Sequence, residues 1–131
     1  ISGLKVSLFL GADINGYSYW GWHGDIKGDT PLSAAVSHGS LDTVAYLLSR
    51  GANSNQRDGW GVPPICTATM LGRLDVVKKL VESGAIADLP EIDYNAKPGR
   101  TALDWAQREG YDEIVSFLQA RSEQAVTPNG P

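Results

Sequence analysis

Asp25-Ile26-Lys27-Gly28-Asp29-Thr30-Pro31-Leu32-Ser33-Ala34-Ala35 decides the fold, because its pattern returns twice further along the chain. The segments His38-Gly39-Ser40-Leu41-Asp42 and Leu47-Leu48-Ser49-Arg50-Gly51-Ala52 follow it. A second copy reads Asp58-Gly59-Trp60-Gly61-Val62-Pro63-Pro64-Ile65-Cys66-Thr67-Ala68, then Leu71-Gly72-Arg73-Leu74-Asp75, then Leu80-Val81-Glu82-Ser83-Gly84-Ala85. A third runs through Gly99-Arg100-Thr101-Ala102-Leu103-Asp104-Trp105-Ala106 to Gly110-Tyr111-Asp112. Ala35 to Ala68, Gly39 to Gly72 and Gly51 to Gly84 are each a step of 33, whereas Ala68 to Ala106 and Gly72 to Gly110 are steps of 38. Several landmarks therefore share one period, with five extra residues before the last copy.

Each segment of the unit has a mechanical reason. Pro31 and the pair Pro63-Pro64 suit the first turn of a helix, where the fixed φ of proline is helical and its missing N–H costs nothing. The short helix that follows is made of small residues such as Ala34 and Ala35, which lets neighbours approach closely. Gly39, Gly72 and Gly110 are placed to end it, and the left-handed cap conformation is expected at all three. The next helix carries apolar residues at helical spacing: Leu41, Val44, Leu47 and Leu48 in one copy, Leu74, Val77, Leu80 and Val81 in the next. Asp58-Gly59 marks a tight turn in the loop beyond. The pattern predicts helices over 30–38, 41–50, 63–71, 74–83, 101–109 and 112–120. One such unit cannot bury its apolar face alone, so the units must stack.

This pattern resembles the ankyrin-repeat family from about Leu4 to Arg121, and Asp-x-x-Gly-x-Thr-Pro-Leu at 25–32 is its most specific motif. The resemblance implies an all-α ankyrin-repeat α-solenoid of paired antiparallel helices, with hairpin-like loops projecting at right angles. It divides the chain into a partial repeat (1–15), a loop insertion (16–24), repeats at 25–57, 58–90 and 91–121, and a mobile tail (122–131). The histidine that usually follows Thr-Pro-Leu is replaced by Ser33, Cys66 and Asp104, so its hydrogen bonds are expected to be absent or altered. Ala102 stands where the last copy should have proline. The partial repeat at the start leaves two readings, an N-terminal cap or a cut from a longer array, and the second is favoured.

Composition narrows the function classes. Lys and Arg number 11 against 15 Asp and Glu, a formal charge of −4, which argues against nucleic acid or an anionic membrane as the partner. No apolar run reaches the roughly 18 residues that would span a bilayer. The single cysteine excludes an internal disulfide and fits a cytoplasmic location. No Cys-x-x-Cys, His-x-x-x-His or phosphate-cradling glycine loop is present, so neither metal, cofactor nor catalysis is expected. The least implausible catalytic pair, Cys66 with His38, sits on adjacent inner helices, and Cys66 reads better as a small buried hydrophobe.

What remains is a protein-interaction module, monomeric and mildly acidic, whose partner is another protein. The insertion Gly16-Tyr17-Ser18-Tyr19-Trp20-Gly21-Trp22-His23-Gly24 holds two of the four tryptophans and two of the five tyrosines. With Trp60 in the next loop it can form an aromatic binding patch. The rival reading is that it folds back and covers the N-terminal stub, and the sequence leaves both open. The resemblance places the binding face on loop tips and the exposed side of the inner helices. By matching position that face takes in Ile26, Lys27, Asp29, Ser37 and His38, then Trp60, Val62, Met70 and Leu71, then Arg100, Arg108 and Glu109. Tyr17, Tyr19, Trp20, Trp22 and His23 join it from the insertion. The second insertion, Leu89 to Pro98, reads first as a surface loop that tolerates length, with contact to a partner as the weaker option. A regulatory or targeting segment of a larger enzyme or transporter is the alternative function. A carbohydrate ligand for the aromatic insertion is a third and weaker one.

Overall fold

The computed structural model describes residues 13–20 and 26–126, and for residues 19–20, 26–27 and 122–126 the backbone alone. Within them lie two short strands, β1 (Tyr19–Trp20) and β2 (Ile26–Lys27), and six helices. The helices are α1 (Pro31–His38), α2 (Leu41–Ser49), α3 (Pro64–Met70), α4 (Leu74–Glu82), α5 (Ala102–Glu109) and α6 (Asp112–Val126). They pair as α1 with α2, α3 with α4 and α5 with α6, and the pairs stack in chain order. The inner row α1, α3, α5 packs more closely than the outer row α2, α4, α6. Small side chains at Ala35, Ala68, Ala102 and Ala106 permit that approach, and all four are buried.

The apolar period predicted from sequence becomes one continuous core. Leu32 and Val36 of α1 join Val44 and Leu47 of α2, and Ile65 of α3 joins Val76, Val77 and Leu80 of α4. Ile114 and Leu118 of α6 close the far end. Polar groups bind neighbouring repeats where the core stops. The Arg73 guanidinium, just before α4, donates to the carbonyl of Val36 at the end of α1 (2.8 Å). Asn55 accepts from the N–H of Ile86 (2.7 Å) and donates to the carbonyl of Gly84 (3.1 Å). In the preceding repeat the Asn15 side chain makes the first of these bonds, accepting from the N–H of Asn53 (2.8 Å).

Helix starts show how the missing histidine is replaced. At α1 the Ser33 hydroxyl accepts from the Thr30 N–H (2.8 Å) while Thr30 accepts from the Ser33 N–H (3.1 Å), a reciprocal cap. Asp104 and Thr101 repeat it at α5 (2.9 and 3.3 Å). At α3 no side chain caps the helix, and the Cys66 thiol reaches across instead, donating to the carbonyls of Leu89 (3.7 Å) and Arg100 (3.9 Å) in the next loop.

Two expectations need correction, and a third gains detail. Gly39 is extended (φ −93°, ψ −179°) rather than left-handed, unlike Gly72 and Gly110 at φ +69° and +75°. Glycine is needed there for space: a Cβ would stand 2.9 Å from the Ala35 carbonyl oxygen, to which the Gly39 N–H donates. Helix α6 continues to Val126 instead of ending near 120, so Ser122–Val126 is helix and not tail. The extension carries no apolar spacing that would announce it, and it follows from a run after Leu118 that lacks glycine and proline and is rich in Gln, Ala, Arg and Glu. The second insertion is an exposed surface loop with a defined shape. It forms a hairpin whose stem joins Glu91 to Arg100 (2.9 Å) and bridges Ile92 to Pro98. Its tip is wound around the Asp93 carboxylate, which accepts from the N–H groups of Asn95 and Lys97.

Candidate functional site

The projecting loops lie side by side, and backbone bonds fix their order. The N–H of Gly59 donates to the carbonyl of Gly28 (2.9 Å), and the N–H of Ile92 donates to the carbonyl of Gly61 (3.0 Å). The loop at 58–62 is shaped by Asp58, whose carboxylate accepts from the N–H groups of Trp60 (2.9 Å) and Val62 (3.0 Å). Gly61 sits at φ +82°, and a side chain there would collide with the carbonyl of Ile92. This glycine sets how closely the second and third loops can meet.

Between them opens a groove of about 540 Å³ lined by Tyr17, Arg57, Asp58, Trp60, Ile92, Asp93 and Tyr94, among others. Trp60 is 59% exposed and Tyr94 96% exposed, so two aromatic rings border one cleft. Tyr17 is half-buried, and its hydroxyl donates to the carbonyl of Arg57 (2.8 Å), bracing the first loop on the second. Arg57 in turn donates from Nε and Nη2 to the carbonyl of Pro90 (3.0 and 2.8 Å), bracing the second on the third. Burial lifts the Asp58 carboxyl above its ordinary value, outweighing the two N–H donors that favour its charged form, and Asp29 pushes the same way.

The residues expected at the binding face separate into groups. Trp60 and Leu71 are exposed, as are His38, Arg100, Arg108 and Glu109. Asp29, Ser37 and Met70 are half-buried, and Val62 packs against the core. Ile26 and Lys27 form β2, paired antiparallel with Tyr19 and Trp20 of β1, and their side chains lie outside the described residues. Trp22 and His23 lie outside them altogether, and so does the proposed cover over the N-terminal stub. Of the expected patch of Trp20, Trp22 and Trp60, the Trp60 side chain alone falls among the described residues. Tyr94, its neighbour across the groove, sits in the insertion whose contact with a partner is the weaker option on sequence alone.

Trp105 of α5 is a residue that the sequence reading leaves out of the site. It falls in the register of Ala34 and Thr67 on the inner row, and there it is half-buried against the core. Its indole N–H donates to the Glu91 carboxylate (2.9 Å), and the guanidinium groups of Arg100 and Arg108 lie over its ring at 5.1 and 5.8 Å. A signal for it exists in sequence, since a tryptophan where the other copies carry alanine and threonine needs an explanation.

Cys66 offers no nucleophile. It is fully buried, and desolvation, aided by the nearby Glu91 charge, pushes its thiol up to about 12. At neutral pH essentially no thiolate exists to attack or to bind metal. Among the described residues no group of His, Cys, Asp and Glu is arranged to hold a metal ion, and no helix is long and apolar enough to cross a membrane.

Two family models match the chain: one for ankyrin repeats in three copies over residues 51–128, and one for a single ankyrin repeat over residues 27–59. Human ankyrin repeat domain-containing protein 37 is 31% identical over 118 residues, covering 90% of this chain and 68% of that protein. Alpha-latrocrustotoxin-Lt1a of Latrodectus tredecimguttatus is 32% identical over 94 residues, 72% of this chain. The rat Arf-GAP with coiled-coil, ANK repeat and PH domain-containing protein 2 is 45% identical over 69 residues, 53% of this chain. The chain spans only 6% of the toxin and 8% of the rat protein.

Proposed function

Since the chain belongs to the ankyrin-repeat family, we propose that it is a protein-binding module whose partner lies in the groove between the second and third loops and on the adjoining inner-helix face. One observation carries this reading: Trp60 and Tyr94 stand exposed on a single groove whose walls are braced by Arg57 and held in register by Gly61. Large exposed rings on a rigid frame give contact area at little entropic cost, which is how binding hot spots are built. Leu71, 51% exposed beside Met70 at the end of α3, adds apolar surface that solvent alone does not explain.

The test is a set of short peptides selected for binding to the full chain. Trp60→Ala with Tyr94→Ala should weaken the selected peptides roughly 30-fold or more, the loss of at least one hot spot. The unfolding midpoint should fall far less than on truncating a core residue such as Leu80, because both rings are largely exposed. Peptides that bind the double variant as well as the parent would remove the groove from the function.

A second reading, a targeting or regulatory segment inside a larger enzyme or transporter, draws support from the small fraction of two relatives that the chain spans. It is compatible with the first and is tested by the full open reading frame.

A further inference from the structure

We propose that Arg100 and Arg108, gathered over Trp105, form the seat for an Asp or Glu side chain of the protein this chain binds. The proposal rests on the reading of the chain as a protein-binding module and names the chemistry of one contact. The two arginines start from separate, well-fixed places. The backbone carbonyl of Arg100 accepts from the Glu91 N–H (2.9 Å) and from the Cys66 thiol, and Arg108 belongs to the last turn of α5. Both side chains nevertheless converge on one indole. That ring is itself held by packing against the core and by its N–H bond to Glu91.

A guanidinium uses its flat face for an aromatic ring and keeps its N–H donors along the edge, where a carboxylate can take two at once. Among the described residues those edges are unused. Neither guanidinium has a hydrogen bond or an ion pair among the described residues, where the sole ion pair is Lys79 with Glu82. Two carboxylates close to the cluster are already engaged, Glu91 with the indole and Asp104 with the Thr101 N–H. Two long cationic side chains have thus lost some of their rotamer freedom without gaining a carboxylate, the condition in which a partner's carboxylate binds at least entropic cost. The formal charge of −4 repels an acidic partner at a distance. Discrimination must then come from directed contact at this one place, not from the overall field.

The experiment uses the full chain and an array of short peptides in which each sequence appears in acidic, amide, basic and phosphoserine versions. The expected result is binding of Asp or Glu versions, about tenfold or more weaker when one carboxylate becomes an amide. Arg100→Gln with Arg108→Gln should erase that difference, and Arg100→Glu with Arg108→Glu should shift the preference to lysine. On the unmodified chain, the Nε–H signals of Arg100 and Arg108 should move on adding an acidic peptide, and that of Arg50, at the end of α2 in the outer row, should not. Peptides that bind without acidic preference, or an acidic preference that survives the glutamine variant, would overturn the seat and leave the module standing. A stronger preference for phosphoserine, or arginine signals that move through self-association without peptide, would overturn the carboxylate assignment. An array with no binders at all would bring down the module and the seat together.

Discussion

The middle repeat and the last one follow the same period, yet their side chains answer to different surroundings. In α3 and α4 the side chains of Ile65, Cys66, Ala68, Val76, Val77 and Leu80 are at most 1% exposed, because a repeat lies on either side. In α5 and α6 the deeply buried set shrinks to Ala102, Ala106, Ile114 and Leu118, and positions matching the middle repeat's Thr67 and Met70 are taken by Trp105 and Arg108. Packing on two sides dictates a sequence. The last repeat admits charge and aromatic surface beside its smaller core, as at Trp105 with Arg100 and Arg108.

Core truncation should break this comparison most visibly. Leu80→Ala, in the doubly covered repeat, should cost roughly 2–5 kcal/mol, and Leu118→Ala distinctly less because the end repeat can relax outward. Equal losses in chemical unfolding would mean that the last repeat is as tightly bound as the middle one. Next in size is Gly61→Ala, which both strains a left-handed residue and drives a methyl group into Ile92. A loss of about 1–3 kcal/mol is expected, together with weaker peptide binding as the groove spreads. Unchanged stability would show that the second and third loops are not tightly registered.

Asp58→Asn sharpens the comparison by pH. Its folded pKa lies above 3.8, so ionisation costs the folded state stability above that raised value, and the cost is relieved as pH falls through it. The amide keeps the acceptor for Trp60 and Val62 without the charge. At pH 7 it should therefore be more stable than the parent, by under about 1 kcal/mol given partial exposure. The gap should close as the pH is lowered toward 3.8. A gap that widens on acidification would reverse the assignment. Smallest of all is Glu113→Ala, exposed at the start of α6, expected within about 0.5 kcal/mol of the parent by thermal melting. A larger change would place an unrecognised contact on the outer face.

The helices are legible in the sequence because proline, glycine and apolar spacing act locally and repeat. Less legible are features that depend on a neighbouring repeat. Gly39 looks like Gly72 in the alignment, but its backbone follows from the closeness of Ala35 and from Ser40, whose hydroxyl caps α2. Tyr94 joins a groove only because the hairpin at 91–100 lies against Gly61. The Trp105 cluster needs Glu91 and Arg100 from a loop brought close in space. In each case the sequence names the residue, and the neighbour's position decides its use.

Cys66 makes the joint between the last two repeats a clock. The chain has one thiol, and it is enclosed by the very loop it bonds, at Leu89 and Arg100. An alkylating reagent reaches that sulfur only when the third repeat swings away. Its rate of labelling in native buffer thus times the lifetime of the seam without any introduced probe. Saturating reagent gives the opening rate directly, and dilute reagent gives the fraction of molecules open at equilibrium. A ligand that clamps the second and third loops together would slow the clock, so partner binding can be followed through an atom the partner never touches.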